Sequence, residues 1–259
     1  MKAPPQSTSE TITPLETTLA AIENVEGWLT PAQATRLWRA AGTLPAGAKI
    51  VEIGSFRGRS TTVLGLGSRR ETHVFAVDPF LGSDRGPQEI EQDLDRGQAD
   101  MARFTDQIER AALSDRVTLI RELSGDQAAL DGIDGVINLL YIDGAHRFTP
   151  ARDDILRWGD RVSSDGGVML IHDAFSSIGV TLASVLVLFG SSRWRYVGRD
   201  GSLAEYQSSS LSGSERVSNA ARQALQLGWF VRNVVFKVLI TLKLGRVTKL
   251  FGHDGSWPY

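Results

Sequence analysis

The 259-residue chain contains no cysteine. That absence excludes a disulfide scaffold, a cysteine nucleophile and a thiolate zinc site together, and it fits a reducing compartment. No uninterrupted apolar run of about 18 residues occurs, so a membrane-spanning helix is not expected. Net charge is nearly absent too. A formal charge of −2 and a pI near 6.1 argue against nucleic acid as a partner. The first residues lack the apolar stretch of a secretory signal. Residues 1–14, rich in Ser, Thr and Pro, read as a disordered leader, and a cytoplasmic location is expected. What is present suits a globular domain: 42% of residues are apolar and 22% charged, enough for one large core.

Charge is unevenly placed. From Gln207 onward there are seven Lys/Arg against Glu215 and Asp254, about +5, which leaves about −7 for the remainder. This divides the chain into the leader, a main domain over 15–207 and a basic, apolar helical extension over 208–259.

Within the main domain, Leu15 to Ala41 reads as two helical pieces, with Thr30-Pro31 as N-cap and first-turn proline. Five short apolar strands follow: Lys49–Ile53, His73–Val77, Val117–Ile120, Ile137–Ile142 and Gly167–Ile171. Helical segments separate them at Ser60–Leu66, Met101–Leu113, Pro150–Val162 and Gly179–Leu188. Alternating strands and helices imply right-handed βαβ units in an α/β fold, a Rossmann-like, doubly wound, mostly parallel sheet. A last pair, Trp194–Val197 and Ser202–Gln207, flanks Gly198-Arg199-Asp200-Gly201 and reads as a terminal antiparallel hairpin. The stretch Asp84–Met101 is acidic. It reads as a solvated loop running into a helix, with a substrate lid as the alternative.

Ligands in such sheets bind outside the carboxyl ends of the strands, and this chain places its chemistry there. Gly54 and Gly58 follow the first strand and allow backbone to approach a ligand closely. Ser60 falls near the next helix's start, where N–H groups and a hydroxyl can hold an anion. Asp78 ends the second strand, 24 residues beyond Gly54, where a carboxylate can grip a ribose diol. The fourth strand ends in Asp143-Gly144-Ala145-His146 and the fifth in His172-Asp173. Two carboxylates and two imidazoles at adjacent tips suit Mg²⁺ and tolerate Mn²⁺. Asp143 and Asp173 are the firmer ligands. His172 can join Asp173 only where the strand has ended, since neighbouring strand residues face opposite ways. Its alternative is a buried histidine bonded to backbone.

Four segments together resemble the class I S-adenosylmethionine-dependent methyltransferases: Val51–Thr61 (VEIGSFRGRST), Val74–Phe80 (VFAVDPF), Leu139–Phe148 (LLYIDGAHRF) and Gly166–Phe175 (GGVMLIHDAF). The closest resemblance is to small-molecule O-methyltransferases of the sugar, macrolide and catechol type. Gly27–Trp38 (GWLTPAQATRLW) and Gly201–Tyr206 (GSLAEY) extend it. The resemblance implies a seven-stranded sheet with a reversed last strand. It implies that Glu52, Gly54, Ser55 and Ser60 line the methionine end of the cofactor, that Asp78 holds the ribose and that Asp126 lies by the adenine. Asp143, His172 and Asp173 match positions that hold a divalent cation in metal-dependent relatives, although histidine stands here where an acidic residue is usual. His146 matches the base of relatives carrying Asp-Gly-x-His.

An alcohol is a poor nucleophile while protonated. A bound metal or a nearby base removes that obstacle, and an imidazole titrating near 6.5 suits the task. The expected function is therefore transfer of a methyl group from S-adenosylmethionine to a small-molecule hydroxyl, a sugar or glycolipid first and a phenol or polyketide second. A nicotinamide dehydrogenase is the alternative enzyme, but Ser55-Phe56 breaks the G-x-G-x-x-G pattern. A non-catalytic cofactor-binding scaffold is the alternative of another kind. Trp229–Leu244, apolar with Arg232, Lys237 and Lys243 interspersed, reads as a helix packed on the core or on a second subunit. Peripheral membrane contact, aided by Arg246, Lys249 and Trp257, is the other reading. The extra helices at both ends point to a homodimer.

Overall fold

The computed structural model describes residues 12–83 and 91–243. Most of the leader, the start of the acidic stretch, Asp254 and the tail residues Arg246, Lys249 and Trp257 lie outside the described residues. The last residues of the leader do not: Thr13 N–H donates to the Leu66 carbonyl (3.1 Å), and the Trp38 indole N–H to the Thr13 carbonyl (2.9 Å).

The elements run α1 (Leu15–Ala21), α2 (Pro31–Gly42), β1 (Lys49–Ile53), α3 (Arg59–Leu66), β2 (His73–Val77), α4 (Leu94–Arg110), β3 (Val117–Ile120), α5 (Gln127–Asp131), β4 (Leu139–Ile142), α6 (Phe148–Gly159), β5 (Val168–Ile171), α7 (Ile178–Leu188), β6 (Trp194–Asp200), β7 (Leu203–Ser208), α8 (Gly213–Ala224) and α9 (Leu227–Thr241). Seven strands form one sheet in the order β3-β2-β1-β4-β5-β7-β6. The first five are parallel, and β7 enters antiparallel between β5 and β6. This is the Rossmann-like sheet with a terminal hairpin that the alternation implied.

Central strands are apolar on both faces because both faces are covered. Leu139 and Tyr141 of β4 pack with Leu37 of α2 and Leu64 of α3, while Leu140 and Ile142 pack with Ile155 of α6 and Val180 of α7. The Thr30-Pro31 start of α2 is a full capping box: Gln33 N–H donates to Thr30 Oγ1 (3.3 Å), and Thr30 N–H to Gln33 Oε1 (2.8 Å).

Two expectations shift. The hairpin turn lies at Gly201-Ser202, and residues 198–200 belong to β6. Gly201 takes the positive φ of the turn, +55°, while Arg36 pairs with both Asp200 (2.6 Å) and Glu205 (2.5 Å) and draws the two strands into register. The fourth strand begins at Leu139, because Ile137 makes only an isolated bridge to Val162.

Candidate active site

Each central strand carries its ladder one residue past its assigned end. Gly54 N–H donates to the Val77 carbonyl (2.9 Å), Asp78 N–H to Ile120 (3.1 Å), Asp143 N–H to Ile53 (2.8 Å) and His172 N–H to Ile142 (2.9 Å). The residues singled out in the sequence are thus neighbours along one edge of the sheet.

On the β1–β2 side the polar groups brace the turn. Gly54 has φ +85°, and a Cβ there would lie 2.1 Å from the Asp143 carbonyl oxygen. Glycine is required because the β1 turn crosses the β4 tip at backbone contact. Asp78, buried, accepts Ser55 N–H and Phe56 N–H on Oδ2 (2.9 Å each) and Phe80 N–H on Oδ1 (2.9 Å). Glu52, fully buried, accepts the hydroxyls of Ser60 and Thr61. Burial pushes its carboxyl up to about 7; those hydroxyls pull the other way. Gly58 is the N-cap of α3 at φ +80°, with Phe104 where a Cβ would go (3.2 Å).

On the β4–β5 side the polar groups are charged and crowded. His146 Nε2 lies 2.7 Å from Asp173 Oδ2. His172 Nδ1 lies 3.4 Å from both Asp143 Oδ1 and Asp173 Oδ2, at ion-pair distance without hydrogen-bond geometry. Tyr141 donates its phenol to Asp143 Oδ2 (3.1 Å). Asp173 has φ +56°, so the chain leaves the strand there, which is the condition for His172 and Asp173 to face the same ions. Burial works against charge on His172, but the Asp143 and Asp173 carboxylates outweigh it and push the imidazole up to about 9. It sits buried between two carboxylates, and its ring makes no backbone bond. Burial likewise opposes charge on His146, and the Asp173 contact overrides it, so its pKa is raised. Asp173, despite complete burial, is held below the usual carboxylate range by the two imidazoles.

A cleft of about 370 Å³ lies over these tips. Its walls come from Ile53, Gly54 and Phe56 after β1, from Val77–Ser83 after β2, from Leu123 and Ser124 after β3, and from Gly144–Arg147 after β4. Of the residues read as cofactor-binding, Gly54 and Asp78 line it. Glu52, Ser55 and Ser60 sit buried behind the turn, Gly58 starts α3, and Asp126 is exposed outside the lining. Of the polar cluster, His146 lines the cleft. Asp143, His146 and Asp173 bring one ligand atom each within 4.8 Å of one another, so His146 stands in that grouping where the sequence placed His172. Phe80, Leu123, Ser124 and Ala145 were not singled out in the sequence. Their signal was position, since each lies within a few residues of a strand's carboxyl end.

Residues 51–174 match the family model described as a methyltransferase domain. The match runs from β1 to the loop after β5 and takes in every tip just described. The chain carries a methyltransferase domain over these residues. The methyltransferase fold recurs in solved structures. An S-adenosylhomocysteine-bound methyltransferase from Podospora anserina is 14% identical, with TM-score 0.54 over 75% of this chain and 87% of that one. The O-methyltransferase TomG from Streptomyces achromogenes, solved with S-adenosylmethionine, is 13% identical, with TM-score 0.51 over 75% and 89%. An O-methyltransferase from Bacillus cereus with S-adenosylhomocysteine is 20% identical, with TM-score 0.50 over 74% and 90%. At these identities the likeness is one of fold. No curated protein matches the chain significantly. A methyltransferase domain over the strand tips stands against the nicotinamide alternative.

Proposed function

We propose that this enzyme methylates a hydroxyl oxygen of a small molecule, a sugar or glycolipid hydroxyl first and a phenol or polyketide hydroxyl second, with His146 accepting the hydroxyl proton. The observation that carries this is the 2.7 Å contact between Asp173 Oδ2, buried behind the cleft, and Nε2 of His146, which lines it. Asp173 fixes the ring and compensates the charge it gains, the logic of a base oriented by a third group. With Nε2 committed to Asp173, Nδ1 is the atom left to take the proton. The Asp173 carboxylate raises the pKa of His146 against the opposing effect of burial, so the ring is the stronger proton acceptor. S-adenosylmethionine, when bound, supplies a methyl group on a sulfonium that departs by in-line displacement. Glu52, Asp78 and the Ser60–Thr61 pair hold the β1 turn so that Gly54 and Phe56 meet the cofactor, and the tips of β4 and β5 hold the acceptor's oxygen opposite.

The three-residue grouping supports a second reading, a divalent cation. Asp143, His146 and Asp173 form an oxygen-rich set with one imidazole, suited to Mg²⁺ or Mn²⁺, which would lower the acceptor's pKa when bound. The two readings part at His146, a base in one and a ligand in the other. Transfer of labelled methyl to a panel of sugars, phenols and polyketides, with EDTA, Mg²⁺ or Mn²⁺, separates them. His146→Ala is expected to lower turnover about 10²- to 10⁴-fold with S-adenosylmethionine affinity retained. Activity surviving EDTA supports the base; activity restored only by metal supports the ligand. Wild-type turnover by His146→Ala would remove both roles.

A further inference from the structure

We propose that the outer faces of α7 and α9 seat the methyltransferase on an anionic lipid surface. α7 has no charged residue, and Ile178, Leu182 and Leu186, four apart on one face, are each at least half exposed. On α9, Val231, Val235, Val238 and Leu242 make a second row, between 48% and 61% exposed. The rows lie on neighbouring elements. Gln223 of α8 donates to the Leu188 carbonyl at the end of α7 (3.5 Å). Asn233 donates to the Phe175 carbonyl (3.5 Å) and Lys237 to the Ser176 carbonyl (3.0 Å), both in the loop leading into α7. Seven large apolar side chains in two rows, one on α7 and one on α9, exceed the scattered exposure of a surface facing only water.

Charge selects the occupant. Arg232 and Lys243 are exposed along one edge of the α9 row, at about 100° from its centre on a helical wheel, and Arg246 and Lys249 follow in sequence. The segment from Gln207 carries about +5 and the rest about −7. A second copy packed antiparallel on this face, about a two-fold axis running across the helix, would set cations against cations. An anionic bilayer takes the apolar rows into its interfacial zone and the cations against its headgroups, and it repels the acidic remainder, which fixes the orientation.

The helix lies on the surface; it does not cross. Gly213–Thr241 is long and apolar enough to span by length and composition, with 11% of its most apolar window buried. Yet Leu225 and Gln226 form a turn within it, and Asn233, Phe236 and Lys237 hold its other face against the domain. α7 begins beside the cleft, with Ser177 donating its hydroxyl to the His146 carbonyl (3.3 Å), so the seated face borders the active site.

Flotation of the full chain with vesicles of phosphatidylcholine alone, or of phosphatidylcholine with phosphatidylglycerol, tests this. Binding is expected only to the anionic vesicles and is expected to weaken with salt. Val235→Glu/Leu242→Glu and Arg232→Glu/Lys243→Glu should each lower the bound fraction on the order of tenfold. Calorimetry with S-adenosylmethionine should show both variants still folded. Failure of the full chain to float with anionic vesicles overturns the proposal, as does undiminished binding by both variants. A dimer in sedimentation that Val235→Glu/Leu242→Glu dissociates, without vesicle binding, assigns the face to a second copy and overturns it too.

Discussion

The β1–β2 tips and the β4–β5 tips use the same kinds of residue to opposite ends. At β1–β2 each carboxylate is satisfied by local donors: Asp78 accepts three backbone N–H bonds and Glu52 two hydroxyls. At β4–β5 the carboxylates face imidazoles, and neither ring nitrogen of His172 finds a hydrogen bond. The first half is bound into its own backbone, which costs little and holds a rigid edge. The second keeps charges close in a buried place, an arrangement that a protein seldom carries without a use for it. Under the proposed function, with the cofactor over β1–β2 and the acceptor over β4–β5, rigidity serves alignment and the close charges serve proton removal.

The sharpest way to break the comparison is at the point where the halves touch. Gly54→Ala places a Cβ 2.1 Å from the Asp143 carbonyl in a left-handed backbone. It should cost about 3–5 kcal/mol of stability and abolish S-adenosylmethionine binding, as thermal unfolding and calorimetry would show. A stable, cofactor-binding variant would mean that the two tips move independently.

Glu52 gives a smaller effect with a definite sign. Its folded pKa of about 7 lies above the usual glutamate value of 4.5. The native state therefore holds a proton that the unfolded chain has released. Its contribution is fully present below pH about 4.5 and is lost as pH rises through about 7, a fall of up to about 3 kcal/mol. Glu52→Gln should flatten that fall in denaturant titrations between these pH values. Asp154, pushed up to about 6 by burial, adds a slope of the same sign. It is common to both proteins and cancels in their difference. Parallel pH profiles would show that Glu52 is ionised in the folded state.

The sheet was legible because apolar runs ended in glycines and acids. Those endings are enough to place Gly54, Asp78, Asp143 and His172 along one edge. What each side chain does there was less legible, since it depends on which way a turn faces. Glu52 and Ser60 share one motif with Gly54, yet the first two point into the packing between β1 and α3 while Gly54 meets the cleft. Asp126, placed by the adenine on the resemblance alone, lies outside the lining. Leu123 and Ser124 took that wall because the chain bends after β3, a bend that no residue type marks. The His146–Asp173 contact joins two loops 27 positions apart, one of them turned by the left-handed backbone at Asp173, which spacing in the sequence does not reveal.

The smallest effect sharpens the comparison most. Asp78→Asn and Asp143→Asn make the same chemical change in the two halves. At position 78 an amide would offer one acceptor oxygen where the carboxylate offers two, so the β1 turn loses part of its bracing. The expected loss is about 2 kcal/mol in stability, with weaker S-adenosylmethionine binding and little change in turnover at saturation. Asp143 is braced by Tyr141 and faces His172 at a longer distance. Its amide should leave cofactor affinity near wild type and lower turnover instead. Unfolding, calorimetry and saturated rates on the two variants form one experiment. If both changes struck stability alike and spared turnover alike, the division of labour along the sheet edge would be wrong, because a rigid half and a working half cannot respond identically to losing the same charge.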